Sequence, residues 1–294
     1  MTKLYDNPSA LLIITGVGLG LNFPLGKLAL AAGISAPLWA AYISLGAGIV
    51  LFVLARAQGP FFAAPGLGRF SVISGFLSYV MPNLLVYSVI PKIGSGFTGL
   101  MFALSPVLTA LLSVIMNVRP PNRLGLIGIA LGLVGAITIA LGRAGSVEGG
   151  GAFWLMLGFL IPCFLAVGNI YRTVGWPKGA TPVQLGSLTN LAAVPFLLAV
   201  SLALAGRFDF EPFAKVRWLL LAQLVCSTLM LVMFFRLQQI GGPTYLSQIG
   251  YVGAGVGLFA GVAFLGEVYP ISVWLGGAII VAGIAISTWS ARSP

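Results

Sequence analysis

GSGFTGLMFALSPVLTALLSVIM, running from Gly94 to Met116, is a stretch of twenty-three residues without one charged side chain. At about 1.5 Å of helix per residue it is long enough to cross a hydrocarbon core about 30 Å thick. Lipid offers no partner to a bare amide, so a segment this apolar has to be helical. The sequence on either side repeats the pattern. Reading outward, spans are expected near residues 10–32, 37–54, 70–89, 94–116, 124–141, 152–171, 183–204, 216–237, 244–265 and 271–289. The connections are short, which favours antiparallel neighbours in one bundle.

Composition agrees. Hydrophobic residues make up 59% of the 294 and charged residues 7%, against about 25% charged in a soluble domain. The net charge of +10 comes from basic residues scattered singly at segment ends, with no basic run. That pattern excludes a nucleic-acid surface and points to orientation in a bilayer. With the N-terminus inside, the inner ends hold nine basic residues: Lys3, Arg56, Arg69, Arg119, Arg123, Arg172, Lys178, Arg236 and Arg292. The outer ends hold five: Lys92, Arg143, Arg207, Lys215 and Arg217. Both termini are therefore expected to be cytoplasmic. The first span has no small-residue cleavage site after it and is expected to be retained.

Cofactor and enzyme chemistry find no foothold. The chain has no histidine and no P-loop, and Gly16 to Gly20 lies inside a span with no βαβ unit around it. Cys163 and Cys226 sit in apolar segments and read as packing residues. No nucleophile and base pair is visible, so no catalytic residue, metal or cofactor is expected. The acids Asp6, Glu148, Asp209, Glu211 and Glu267 each fall at or beyond the end of a span. An intramembrane carboxylate relay is therefore not expected, and transport would be downhill or coupled through a group not evident in the sequence.

The halves echo each other. Ile93-Gly94 matches Ile240-Gly241, and Asn22 matches Asn169, at an offset of 147; Gly128 and Gly135 match Gly276 and Gly283 at 148. Five spans per half is an odd number, so the second copy would be inverted, as in many transporters whose site lies between the halves. The expected fold is an all-α integral membrane protein. It has ten transmembrane helices in two inverted five-helix repeats, residues 1–147 and 148–294, around a central cavity.

Polar groups fall on helical stripes. Tyr79, Asn83 and Tyr87 share one face of the third span, and Gln223, Ser227, Met230 and Phe234 one face of the eighth. Phe97, Met101 and Ser105 align in the fourth. Thr244, Tyr245, Gln248 and Tyr251 line the start of the ninth, and Asn22 and Asn169 add two amides. Each needs a partner in lipid. Bonds between helices would supply one, and a solute cavity would explain why the set recurs. Such a cavity is expected to be neutral, aromatic and thioether-rich, suited to a small amphipathic solute. Lys27, inside the first span, would either snorkel to the interface or attract a carboxylate. Pro24, Pro106 and Pro162 are the hinge candidates, and glycines four apart read as close helix contacts.

These residues carry a resemblance. Asn22-Phe23-Pro24-Leu25-Gly26-Lys27, Ile90-Pro91-Lys92-Ile93-Gly94, Pro106, Phe264-Leu265-Gly266-Glu267 and the pair Gly276 and Gly283 resemble the drug/metabolite transporter superfamily in its EamA-type branch. Arg119-Pro120 departs from the family where the second half has Glu267. The likeness is strongest to bacterial exporters of aromatic amino acids. It implies export of phenylalanine, tryptophan, tyrosine, methionine and threonine by alternating access across the bacterial inner membrane; a monomeric unit is compatible with the sequence, which does not fix the oligomeric state. It also implies a cavity lined by the first, third, fourth, sixth, eighth and ninth spans, with Trp154 joining Asn169 on the sixth. The alternatives are an exporter of drugs or other metabolites and a membrane scaffold with no solute path.

Overall fold

The computed structural model describes residues 6–59, 65–118, 120–143 and 151–290, all of them helix or connection. Lys3, Arg119, Arg292 and Glu148, used in the sequence reading, lie outside them. α1 spans Pro8–Ala31 and begins where Asn7 Oδ1 accepts from the amides of Ser9 at 3.0 Å and Ala10 at 3.3 Å. Pro8 fits that first turn because its missing N–H would have no helical partner there. α2 is Ala36–Ala57. α3 is Leu67–Ile93, with a π-helical turn at Phe76–Val80. α4 comes in two pieces, α4a Ser95–Ala103 and α4b Ser105–Ile115. α5 is Arg123–Arg143 and α6 Gly151–Val174. α7, Pro182–Ala205, is capped by Thr181 and ended by Gly206 at φ 68°. A five-residue helix, Glu211–Lys215, precedes α8, Arg217–Ser247. α9 is Ile249–Leu265 and α10 Ile271–Ser290.

Among the described residues, six helices are long and apolar enough to cross a membrane: α1, α2, α3, α6 from Phe153, α7 and α8. The chain is a multi-pass membrane protein. The other four expected spans are apolar helix as well, in α4a and α4b, α5, α9 and α10.

Backbone breaks correct the sequence reading in two places. The eighth and ninth spans were expected to end and begin at Leu237 and Thr244. The helix instead continues to Gly242, where φ 73° and ψ −177° interrupt it ahead of Pro243. Gly94, between α3 and α4a, has φ 82° and ψ 162°. That corner of backbone space is essentially closed to residues with a Cβ. Gly94 thus corresponds to Gly242, one residue beyond the expected Gly241. The second correction concerns prolines. α1 and α6 run through Pro24 and Pro162, whereas α4 breaks at Leu104, so Pro106 sits in the first turn of α4b, where its ring displaces no carbonyl.

α5 and α10 pack along each other at the periphery, α2 packs on α7, and α1 lies between α8 and α9. Small residues permit the closest approaches. Gly16 and Gly20 of α1 meet Val252 and Val256 of α9, while Gly253 and Gly257 meet Leu19 and Phe23. Gly135 lies against the Gly276 carbonyl and Ile280, and Gly283 against the Gly128 carbonyl. With lipid as apolar as leucine, such close backbone packing supplies association that burial alone does not.

A Cβ at Gly20 would sit 2.6 Å from Val256 Cβ and 2.7 Å from the Gly253 carbonyl. Gly20→Val and Gly283→Val are therefore expected to destabilise by about 1–3 kcal/mol or more, seen as lower melting temperatures of the purified protein in detergent. Gly255→Ala, which meets open space, should stay within about 0.5 kcal/mol of the parent. Equal melting of all three would contradict the packing described.

Candidate solute cavity

A cavity of about 110 Å³ lies at the centre of the bundle, room for several waters or part of a small solute. Its apolar wall comes from Leu19, Phe23, Ile43, Pro82, Val86, Phe102, Leu165, Leu231, Phe234, Ile249 and Gly250. Its polar groups are Asn22, Ser78, Tyr79, Asn83, Tyr87, Ser105, Asn169, Arg172, Asn190, Ser227 and Ser247, with the Met230 thioether among them. α2 and α7 contribute through Ile43 and Asn190, which the sequence reading did not foresee. α5 and α10 contribute nothing to the lining.

Of the sequence candidates, Asn22, Tyr79, Asn83, Tyr87, Ser105, Asn169, Ser227 and Met230 line this cavity. Gln223 stands just behind it. Gln223 Nε2 donates to Asn22 Oδ1, and to Ser227 Oγ at 2.6 Å, while Ser227 Oγ donates to Asn22 Oδ1 at 3.1 Å. Asn22 Nδ2 donates to the Gly18 carbonyl at 2.8 Å. Others stand apart from the lining. Thr244 bonds Ser113 at 3.0 Å, and Tyr245 bonds Ser9 at 3.3 Å. Tyr251 donates to the Ile129 carbonyl at 3.1 Å. Met101 and Gln248 are buried elsewhere, and Trp154 lies under the Lys92 ammonium at 5.7 Å. The Phe97 side chain lies outside the described residues.

The break at Gly242 explains why the ninth-span group misses. Thr244 and Tyr245 follow that turn directly, so their faces are set by a new helix start rather than by the period of α8.

The expectation of a neutral cavity is overturned by Arg172, counted in the sequence reading as an inner-end charge. α6 continues through it to Val174, and Arg172 is 1% exposed. Its Nε donates to Gln238 Oε1 at 3.3 Å, Nη1 to Ser78 Oγ, and Nη2 to Asn169 Oδ1 at 2.5 Å. The guanidinium lies 4.9 Å from the centre of the Phe234 ring, a favourable cation–π position. Gly168 makes the room, since a Cβ there would run into Ser78 Oγ. The shell extends outward: Asn169 Nδ2 donates to Thr109 Oγ1 at 3.4 Å, and Gln238 Nε2 to Thr173 Oγ1 at 2.7 Å. Among the described residues, no carboxylate is within ion-pair reach of Arg172. Asp6 pairs with Arg236, Glu211 with Lys215 and Glu267 with Lys27.

Lys27 does not simply reach for the interface. It forms an ion pair with Glu267, whose side chain is 8% exposed and also accepts from the Tyr269 hydroxyl. Gly266, at φ 63°, ends α9 and lets the Glu267 amide turn back to the Gly261 carbonyl at 3.0 Å. That turn aims the carboxylate at α1. Glu267 falls just beyond the end of α9, as expected, and its ion pair ties α1 to α9 near one end. At the opposite end of α1, Leu11 and Leu12 pack with Leu237, Tyr245, Leu246 and Ile249 in a separate apolar cluster.

With this geometry in hand, residues 8–141 match the EamA-like transporter family. The match covers most of the first half of the chain and is a likeness to that family. A comparison with curated proteins gives no match. One crystal structure is similar over 94% of this chain and 98% of the other, with a TM-score of 0.67 and 17% identity. At that identity the likeness speaks for the fold alone, and it extends the shared fold well beyond the EamA-like stretch.

If the cavity is reached by solutes, Asn83→Cys and Met230→Cys, made in a Cys163→Ser/Cys226→Ser background, should react with a small polar thiol reagent. Ser113→Cys and Thr244→Cys, both buried outside the lining, should be protected. Protection at 83 and 230 would remove the cavity from the solute path.

Proposed function

We propose that the chain exports neutral amphipathic amino acids, the aromatic ones with methionine and threonine among them, by alternating access of two inverted halves, residues 1–147 and 148–294. The central cavity carries this reading. It is enclosed by helices of both halves, and its wall is mostly aromatic, aliphatic and thioether, with neutral polar groups and the one charge of Arg172 between. Aromatic and thioether walls suit an apolar side chain. The helix pairings support the inverted halves. Exchanging α1–α5 with α6–α10 turns the α1–α9 contact into α6–α4 and the α1–α8 contact into α6–α3, and maps the α2–α7 and α5–α10 contacts onto themselves. The matched breaks at Gly94 and Gly242 fit the same exchange. A cation exporter would want an acid in the cavity, and the lining supplies Arg172 in its place. The same reading puts the protein in the bacterial inner membrane with both termini in the cytoplasm. Arg172, being buried, drops out of the inner-end count, leaving eight basic residues against five.

Liposomes holding the purified protein test this with labelled phenylalanine, methionine and choline, with and without a pH gradient. Saturable uptake of both amino acids, indifferent to the gradient and without choline uptake, is expected. Choline uptake, or uptake that collapses without the gradient, would overturn the reading.

A further inference from the structure

We propose that Arg172 is the anion-binding group of the cavity and takes the carboxylate of the solute beside the Tyr79 hydroxyl. This rests on the reading of the cavity as a solute site, and it narrows the solutes to organic monocarboxylates with an apolar body. A guanidinium carries five N–H donors. Three are taken by neutral oxygens on Gln238, Ser78 and Asn169, leaving one on each terminal nitrogen without an acceptor among the described residues. Desolvating such a cation costs several kcal/mol, and neutral oxygens offset this less well than a carboxylate does. A charge kept inside a membrane bundle under those conditions marks a functional position. The Phe234 ring and the space at Gly168 hold the plane of the group, so its orientation is set before a solute arrives.

The surroundings fit an anion. The Tyr79 hydroxyl is buried beside Arg172 and Asn190, and no carboxylate lines the cavity to compete. One guanidinium with no second cation in the lining matches a single negative charge. A phosphate ester would call for more.

The test is a melting-temperature shift of the purified full chain with phenylalanine, 3-phenylpropionate and phenethylamine. Phenylalanine and 3-phenylpropionate, which share the carboxylate, are expected to stabilise it, and phenethylamine is not. Arg172→Gln, provided it elutes as one species, should weaken the response to both carboxylates about 10–100-fold in apparent Kd, the range of a charge-assisted hydrogen bond, and Arg172→Lys should recover part of it. Unchanged affinity in Arg172→Gln would make the residue a strut between helices and overturn the proposal. Should Arg172→Gln not fold, the parent protein decides: phenethylamine stabilising as well as phenylalanine would overturn the proposal just as firmly. A response to 3-phenylpropionate without one to phenylalanine would sink the amino acid reading and leave the anion site standing. No response to any of the three would remove both.

Discussion

Burial of the Arg172 guanidinium governs how α3, α4, α6 and α8 meet. Its three donated bonds run to Ser78 on α3, Asn169 on α6 and Gln238 on α8, and Asn169 passes the chain on to Thr109 on α4b. A charged group out of water tolerates little misalignment, because each lost partner leaves a desolvation cost of about 1–3 kcal/mol, more for a charge. The network therefore holds four helices in register around the cavity, and it does so with oxygens that bear no charge. Among the described residues the positive charge has no carboxylate partner, and it lies in the wall of the central cavity.

The rest of the bundle permits this arrangement. Glycine contacts bring α1 against α9 and α5 against α10, and the α5–α10 pair supplies cohesion without lining the cavity. α1 is fastened at both ends by different means. Near its C-terminus Lys27 pairs with Glu267; near its N-terminus Leu11 and Leu12 join an apolar cluster. An ion pair at one end of α1 and apolar packing at the other differ in their response to water.

Much of this was legible in the sequence, and the failures are instructive. Apolar length placed the helices, because lipid leaves the backbone no other choice. Helical spacing put Tyr79, Asn83 and Tyr87 on one face, and the structure brings all three to the cavity. The same spacing failed for Thr244 and Tyr245, since Gly242 resets the helix just before them, and for Tyr251, which follows a second break at Gln248. Arg172 was taken for an interface charge because the sixth span was ended at Tyr171. Its spacing from Asn169, three residues on the same helix, was the available signal that the two share a face. Lys27 and Glu267 lie 240 residues apart, and no local pattern joins them.

The most direct test of the account is a cryo-electron microscopy structure of the purified protein with phenylalanine. The account predicts density in the central cavity, with the carboxylate within hydrogen-bond distance of Arg172 and the ring among Phe23, Phe102 and Phe234. Density confined to the outer groove of Ile14, Leu21, Trp218 and Val225 would contradict it. So would an empty cavity at saturating solute, with Arg172 still bonded only to Ser78, Asn169 and Gln238.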